Sequence, residues 1–348
     1  MTATASPLSE SPVMKDVARF AGVSHQTVSR VINDLPHVSA DARQRVERAI
    51  HELGYQPNTL ARDLRQRTPR TIGVLTTRWT GYGPMQAILG AEKAAKKAGY
   101  SVSLSALAAH TLTNIQSAVE NFASQPVVGI IVLTPHHCVV AALEQIDVRI
   151  PIIAAGCASN GVTLSINSRQ RLGARLAVQH LLAQGHTRIG HLSGPPGWTD
   201  SAERRAGWQE ALDEAGLEAE TLLWGDWSAR SGYDASAKLV SDGTVTAMFA
   251  ANDQMALGLL RGIHESGKKV PAEMGIVGYG DQPEAAYFSP PLSTVRQDFE
   301  ALGSLCVDAL LNEESAKLRA VSTPDPVLVI RNTSARLPDL AGSLDTRV

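Results

Sequence analysis

The stretch Met14-Lys-Asp-Val-Ala-Arg-Phe-Ala-Gly-Val-Ser-His-Gln-Thr-Val-Ser-Arg-Val-Ile-Asn33 decides how the amino-terminal part of the chain is read. Val17 and Ala18 fall on the inner face of a first short helix, and the small Ala18 lets a second helix cross closely. Gly22 stands between the two, where a left-handed turn would be costly for a residue with a side chain. Val28, Val31 and Ile32 supply the packing face of the second helix, leaving Ser24, His25, Gln26, Ser29 and Arg30 outward. All five are hydrogen-bonding types. The layout fits a helix-turn-helix whose second helix enters the major groove of DNA, where Gln and Arg can read adenine and guanine edges bidentately. An ordinary helical hairpin shares this spacing, so the stretch alone leaves both readings open.

Outward from it, Ser39 is placed to cap a third helix carrying Val46, Ala49, Ile50 and Leu53 at helical spacing, with Gly54 as its stop. A polar connector follows at 56–70, bounded by Pro57 and Pro69 and carrying four arginines between Arg62 and Arg70 against one acid. The whole chain has a net charge of -2, but residues 1–70 hold ten Lys/Arg against seven Asp/Glu while the remainder holds 22 against 27. A basic head on an acidic body fits phosphate attraction confined to one end.

From Arg70 onward the pattern alternates. Short apolar runs at Thr71–Leu75, Ser101–Leu107, Gly129–Leu133, Pro151–Ala155, Arg188–Leu192, Ala247–Ala250 and Gly275–Tyr279 read as strands. Helical segments are expected at Met85–Ala98, Leu112–Ser124, Arg169–Gln184, Ala202–Ala215 and Gln254–Ser266, with glycine stops at Gly99, Gly185, Gly216 and Gly267. Such alternation implies parallel sheets covered by helices on both faces, with ligands bound in a cleft at the carboxyl ends of the strands.

Other classes find little support. At 348 residues the chain exceeds one hydrophobic core, and 44% hydrophobic with 19% charged residues suits a globular protein. No apolar run approaches the ~18 residues that cross a bilayer, and Met1–Pro12 lacks the pattern of a secretion signal, so a cytoplasmic location and no membrane partner are expected. Cys138, Cys157 and Cys306 lie far apart, which argues against a disulfide framework or a zinc site and for buried free thiols. There is no G-x-S-x-G, H-E-x-x-H or Walker loop, and His136-His137 have no metal-like spacing. Neither an enzyme nor a cofactor is expected; the body reads as a binding module.

The residues now support a resemblance. Asp16-Val-Ala-x-x-Ala-Gly-Val-Ser-x-Gln-Thr-Val-Ser-Arg-Val-x-Asn33, Val38-Ser39 and Leu53-Gly-Tyr-x-Pro-Asn58 resemble the headpiece of the LacI/GalR bacterial repressors. In the body, Gly185-His-x-Arg-Ile, Ala206-Gly-Trp208, Gly225-Asp-Trp-Ser-Ala229, Asn252-Asp-Gln-Met-Ala-Leu-Gly258 and Pro290-Pro-Leu-x-Thr294 resemble the same family. The resemblance covers nearly the whole chain. It implies an all-α helix-turn-helix headpiece at 13–57, a hinge helix at 58–69, and an α/β two-lobed effector domain of the periplasmic-binding-protein type at 70–337. The lobes would comprise about 70–168 with 297–326, and about 169–296 with 327–337, before a tail at 338–348.

The resemblance also implies roles. His25, Gln26 and Arg30 would read bases; His25 stands where a family member has tyrosine, so operator preference is expected to differ there. Met14, Ser24, Thr27, Ser29, Asn33, His37 and Ser39 would hold phosphates and orient the head on double-stranded operator DNA. Asn58, Ala61 and Leu64 would belong to a hinge that folds on DNA and wedges Leu64 into the minor groove; a plain flexible linker is the competing reading. Thr77, Arg204, Trp227, Asn252, Gln297 and Phe299 would line the effector cleft. Two positions that hold sugar-binding acids in a family member are Gly156 and Gly280 here, with Asp281 beside the second as the compensating candidate. That leaves a neutral sugar, a larger glycoside or an anion paired with Arg204 as effector. No leucine heptads follow Leu337, so a homodimer is expected rather than a tetramer. A corepressor-dependent regulator of the same family, or a sugar-binding transport protein, are the alternatives to an inducible repressor.

Overall fold

The computed structural model describes residues 12–55, 69–77, 81–146, 150–156, 164–312 and 322–334. It separates into two compact units, 1–68 and 69–348. Asn58, Ala61 and Leu64, with the arginines at 62, 65 and 67, lie outside the described residues, as does the tail from 335 onward.

In the first unit, three helices, α1 (Met14–Ala21), α2 (His25–Ile32) and α3 (Ala40–Leu53), enclose a small core of Val17, Ala18, Ala21, Val28, Val31, Val46, Ala49 and Tyr55. Gly22 ends α1 at φ 64°, the left-handed conformation that its position in the turn demands. Ser24 caps α2 by accepting from Thr27 N, and Ser39 caps α3 by accepting from Ala42 N. Arg45 of α3 donates through Nη1 to the Ala21 carbonyl at 3.2 Å, tying the third helix to the end of the first.

The second unit holds two sheets. The first has the order β2-β1-β3-β4-β5, with β1 (Thr71–Thr77), β2 (Ser101–Leu107), β3 (Val127–Val132), β4 (Ile152–Ala155) and β5 (Leu164–Ile166) all parallel. The second has the order β11-β10-β9-β8-β6-β7. Its strands are β6 (Ile189–Ser193), β7 (Leu222–Trp224), β8 (Ala247–Ala250), β9 (Gly275–Gly280), β10 (Ser293–Arg296) and β11 (Val327–Val329), parallel except for the last pair. Near-continuous burial along β1, β3, β4, β8 and β9 is what helices on both faces of a parallel sheet impose. On the first sheet these are α4 (Tyr82–Lys97), α5 (Leu112–Ala123), α6 (His137–Leu143) and α11 (Phe299–Leu311). On the second they are α7 (Gln170–Ala183), α8 (Thr199–Glu214), α9 (Ala229–Asp242) and α10 (Asp253–Glu265).

The chain passes between the lobes three times: after β5, after β10 and before β11. These crossings are tied to one another. Asn167 pairs with Ser322 as an isolated bridge, Arg169 donates to Ser322 Oγ at 3.1 Å and pairs with Asp325 at 2.8 Å, and Gln297 donates to the Ser168 carbonyl. A hinge built this way permits rotation of one lobe against the other while fixing where they meet. Cys306 is buried in α11, its thiol pushed up to about 12 by burial; Cys138 is exposed, contrary to the expectation of a buried thiol, and Cys157 lies outside the described residues. Among the described residues, no helix is long and apolar enough to cross a membrane.

Candidate functional site

In the head, the physical consequence of burying Val28 and Val31 is that the opposite side of α2 faces solvent. His25, Gln26 and Arg30 are all exposed there. Arg19, Arg43 and Arg45 are held by Asp16, Asp34 and Asp41 at 2.7, 2.9 and 3.1 Å, but among the described residues no acid pairs with Arg30. A guanidinium left unpaired on the presented face keeps its bidentate fork for an outside partner. The supporting polar residues are already engaged in building the turn. Ser24 and Thr27 hydroxyls lie 2.9 Å apart, Asn33 Nδ2 donates to the Ser29 carbonyl at 2.7 Å, and Met14 packs on the core. His37 is exposed at φ 68°, and Ser39 is exposed at its helix cap.

In the body, the carboxyl ends of the strands converge on one cleft. Tyr82, Gly83 and Pro84 follow β1, Pro135 follows β3, and Trp198, Asp200 and Arg204 follow β6. Trp227 follows β7, Asn252–Gln254 follow β8, Tyr279, Gly280 and Gln282 come from the end of β9, and Phe299 from the segment after β10. The cleft is partly open to solvent, with apolar faces from Trp198, Trp227 and Phe299 set around the polar Asp200, Arg204 and Asn252.

Arg204 is the centre of the polar wall. Its side chain is 6% exposed and its fork is directed from behind: Nε donates to Gln170 Oε1 at 2.9 Å, Nη1 to the Ala251 carbonyl, and Nη2 faces Asp200 Oδ2 at 3.5 Å. The guanidinium also lies over the Tyr279 ring, 4.0 Å from its centroid, and 5.6 Å from that of Trp227. Trp227 sits at φ 74°, costly for a bulky residue, and is kept there by Asn252 Nδ2 donating to its carbonyl at 2.9 Å. Asn252 does this while capping α10 through Met255 N, so its side chain works for the turn as well as facing the cavity. Gly194 has no side chain because a Cβ there would stand 2.2 Å from the Trp227 ring.

Four of the expected effector residues are thus brought together: Arg204, Trp227, Asn252 and Phe299. Three are not. Asp281 is not among the residues lining the cavity, and its carboxylate pairs with Arg296 at 2.6 Å and Arg331 at 2.7 Å. Thr77 is buried at the end of β1 and Gln297 serves the hinge, neither lining the cavity. The sequence reading missed Tyr82, Trp198 and Asp200. The available signal was Asp200 four residues before Arg204, a spacing that pairs opposite charges on one helix face.

The rim of the cleft joins the lobes. His136 and Trp198 form an antiparallel bridge, with Thr199 N donating to the Pro135 carbonyl at 2.8 Å and His137 N to Gly197 at 3.1 Å. His136 stacks on His110 with centroids 4.3 Å apart and on His137 at 5.0 Å; burial, and then the charge of these two neighbours, lowers it to about 4. In the second lobe, His191 is driven down to about 3 by burial, its Nδ1 facing the Phe249 carbonyl at 2.9 Å. His110 and His180 are lowered by burial too. Because these imidazoles bind protons less readily folded than unfolded, their contribution to stability is complete above about pH 6.5 and is lost as the pH falls toward 4. Asp253, raised to about 6 by burial, and Asp200, raised by the same cause, work in the opposite sense as they protonate. Four imidazoles against two carboxyls predicts a net fall in melting temperature between pH 6.5 and 4.5, measurable by calorimetry; a flat or rising profile would contradict it.

The comparisons agree with this anatomy. Residues 13–58 match the bacterial regulatory proteins of the lacI family, and residues 178–334 match a periplasmic binding protein-like domain. The chain is 36% identical over 326 residues to the lactose operon repressor of Escherichia coli (strain K12), spanning 93% of this chain and 91% of that protein. To the ribose operon repressor of the same organism it is 34% identical over 304 residues, spanning 86% and 92%. A solved lac repressor dimer bound to operator and the anti-inducer ONPF superposes with a TM-score of 0.84 at 36% identity, covering 94% of this chain and 100% of that one.

Proposed function

The chain belongs to the LacI family of bacterial regulatory proteins, and from that premise we propose that it is a sequence-specific repressor of a carbohydrate-utilisation operon, released from its operator by a sugar effector. The observation that carries the reading is the pairing of two devices in one chain: an exposed Gln26–Arg30 face on α2 and an aromatic cleft built around a buried guanidinium. The relatives reported above are repressors, and regulation without catalysis is the corresponding reading for this protein.

In this reading a homodimer, joined through the first lobe, places two copies of α2 in successive major grooves of a near-palindromic site in the cytoplasm. Met14, Ser24, Thr27, Ser29, Asn33, His37 and Ser39 set the register on the phosphates while His25, Gln26 and Arg30 meet base edges. The segment with Asn58, Ala61 and Leu64 folds on the duplex and opens the minor groove. A sugar stacks its C–H face on Trp227 or Phe299 and pairs hydroxyls with Arg204 and Asn252. In this reading the sugar favours the lobe arrangement that binds operator less well, and that difference in affinity is what drives release. Selection of sites from a random DNA pool, followed by release assays with a sugar panel, tests this. Enrichment of one near-palindrome that a sugar dissociates supports it; a pool that stays unenriched overturns it.

A further inference from the structure

We propose that Asp200 supplies the hydroxyl-accepting carboxylate of the effector cleft and, balanced by Arg204, selects an uncharged pyranoside over a sugar acid or sugar phosphate. This rests on reading the cleft as a sugar site. The first observation is positional. Gly156 ends β4 of the first lobe at φ 72° and has no side chain to offer. A Cβ built there would stand 3.5 Å from Asp200 Oδ1, so the carboxylate occupies the space beside Gly156, delivered from the second lobe by the first turn of α8. The acid has moved in sequence but not in space.

The second observation is charge. Asp200 Oδ2 faces Arg204 Nη2 at 3.5 Å, and Arg204 is itself oriented by donating from Nε to Gln170 Oε1 at 2.9 Å. Cation and anion therefore form one unit on the cavity wall. The other acid nearby, Asp253, is 1% exposed and accepts from Thr294 Oγ1 at 2.6 Å and Gln282 N at 2.8 Å, so its oxygens are already engaged. An anionic ligand reaching for Arg204 meets Asp200 at close range, and between side chains only 6% and 20% exposed the repulsion is weakly screened. A neutral ligand with adjacent hydroxyls meets no such opposition: one hydroxyl donates to Asp200 while its neighbour accepts from Arg204. The aromatic walls agree, since Trp198, Trp227 and Phe299 offer apolar surface without charge.

The experiment uses the full chain and matched probes: D-galactose, lactose, D-glucose and cellobiose against D-galacturonate and D-glucose 6-phosphate, followed by thermal shift and calorimetric titration. A neutral sugar is expected to stabilise the protein and to bind at least tenfold more tightly than its charged counterpart. Asp200→Asn is expected to weaken the neutral sugar by roughly 10- to 100-fold, the range for leaving a hydrogen-bonded charge unmade. The selectivity of the unaltered protein tests the assignment without any variant, so poor folding of Asp200→Asn does not shelter it. If charged and neutral sugars bind alike, or a folded Asp200→Asn binds the neutral sugar undiminished, the assignment to Asp200 fails and the sugar reading stands. If no probe of either kind binds, the sugar reading fails and takes this assignment with it.

Discussion

Replacing Gln26 and Arg30 together by alanine is expected to weaken binding to the selected operator by roughly a thousandfold, about 4 kcal/mol, because each bidentate base contact discriminates by ~1–3 kcal/mol. Binding to random DNA should hardly change. Both side chains are exposed, and the core beneath them is made by Val28 and Val31, so the head should keep its melting point. Arg67→Ala offers the contrast: a charge in the arginine-rich connector should lower affinity for all sequences and flatten the salt dependence. Fluorescence anisotropy on specific and random duplexes at several salt concentrations separates the two. Equal losses on both duplexes for the double variant would remove Gln26 and Arg30 from base reading.

Arg204→Leu is expected to abolish the effector response while leaving operator binding intact. The guanidinium is the one cation on the cavity wall among the described residues, and three of its donors are committed to holding Gln170, Ala251 and Asp200 in place. Its loss should weaken the effector by at least 100-fold, about 3 kcal/mol, through the missing hydrogen bonds and the disordered wall together. The half-buried Asp200 then lacks its counter-charge, so the single variant should also melt earlier. Adding Asp200→Asn to Arg204→Leu should recover part of that stability without recovering the effector, and calorimetry of the two single variants and the double reads the coupling. An Arg204→Leu protein that still releases operator at the original sugar concentration would place the effector elsewhere.

The legible parts of this molecule were those where local chemistry and global fold ask for the same residue. Gly22 and Gly54 take left-handed conformations at the helix ends, and so do Gly99, Gly185, Gly216 and Gly267, because the stop of each helix is a local demand. Ser24 and Ser39 cap as their positions suggest. The parts that escaped are set by tertiary context. β5, β7 and β11 have three residues each, too few to show a period, and exist because neighbouring strands extend them. The helix Ala229–Asp242 carries an interior Gly232, unfavourable by propensity, which a Cβ 2.0 Å from the Met255 carbonyl oxygen makes necessary for packing on α10.

In the site the same division holds. Arg204, Trp227, Asn252 and Phe299 could be placed together at the cleft because their surroundings match the family pattern. For Asp281, sequence adjacency to Gly280 says nothing of Arg331, fifty residues away, which pairs with its carboxylate. Asp200 was overlooked for the complementary reason: its proximity to Gly156 arises only when the two lobes face each other.

The central claim is that cleft and recognition helix report on one two-state equilibrium. Linkage makes this measurable as a reciprocity: the factor by which a sugar weakens operator binding must equal the factor by which operator weakens sugar binding. Titrating operator at saturating sugar, and sugar at saturating operator, gives both factors with the same preparation. The account predicts equal weakening by tenfold or more in each direction, and none of it in Arg204→Leu. Tight sugar binding that leaves operator affinity unchanged would contradict it.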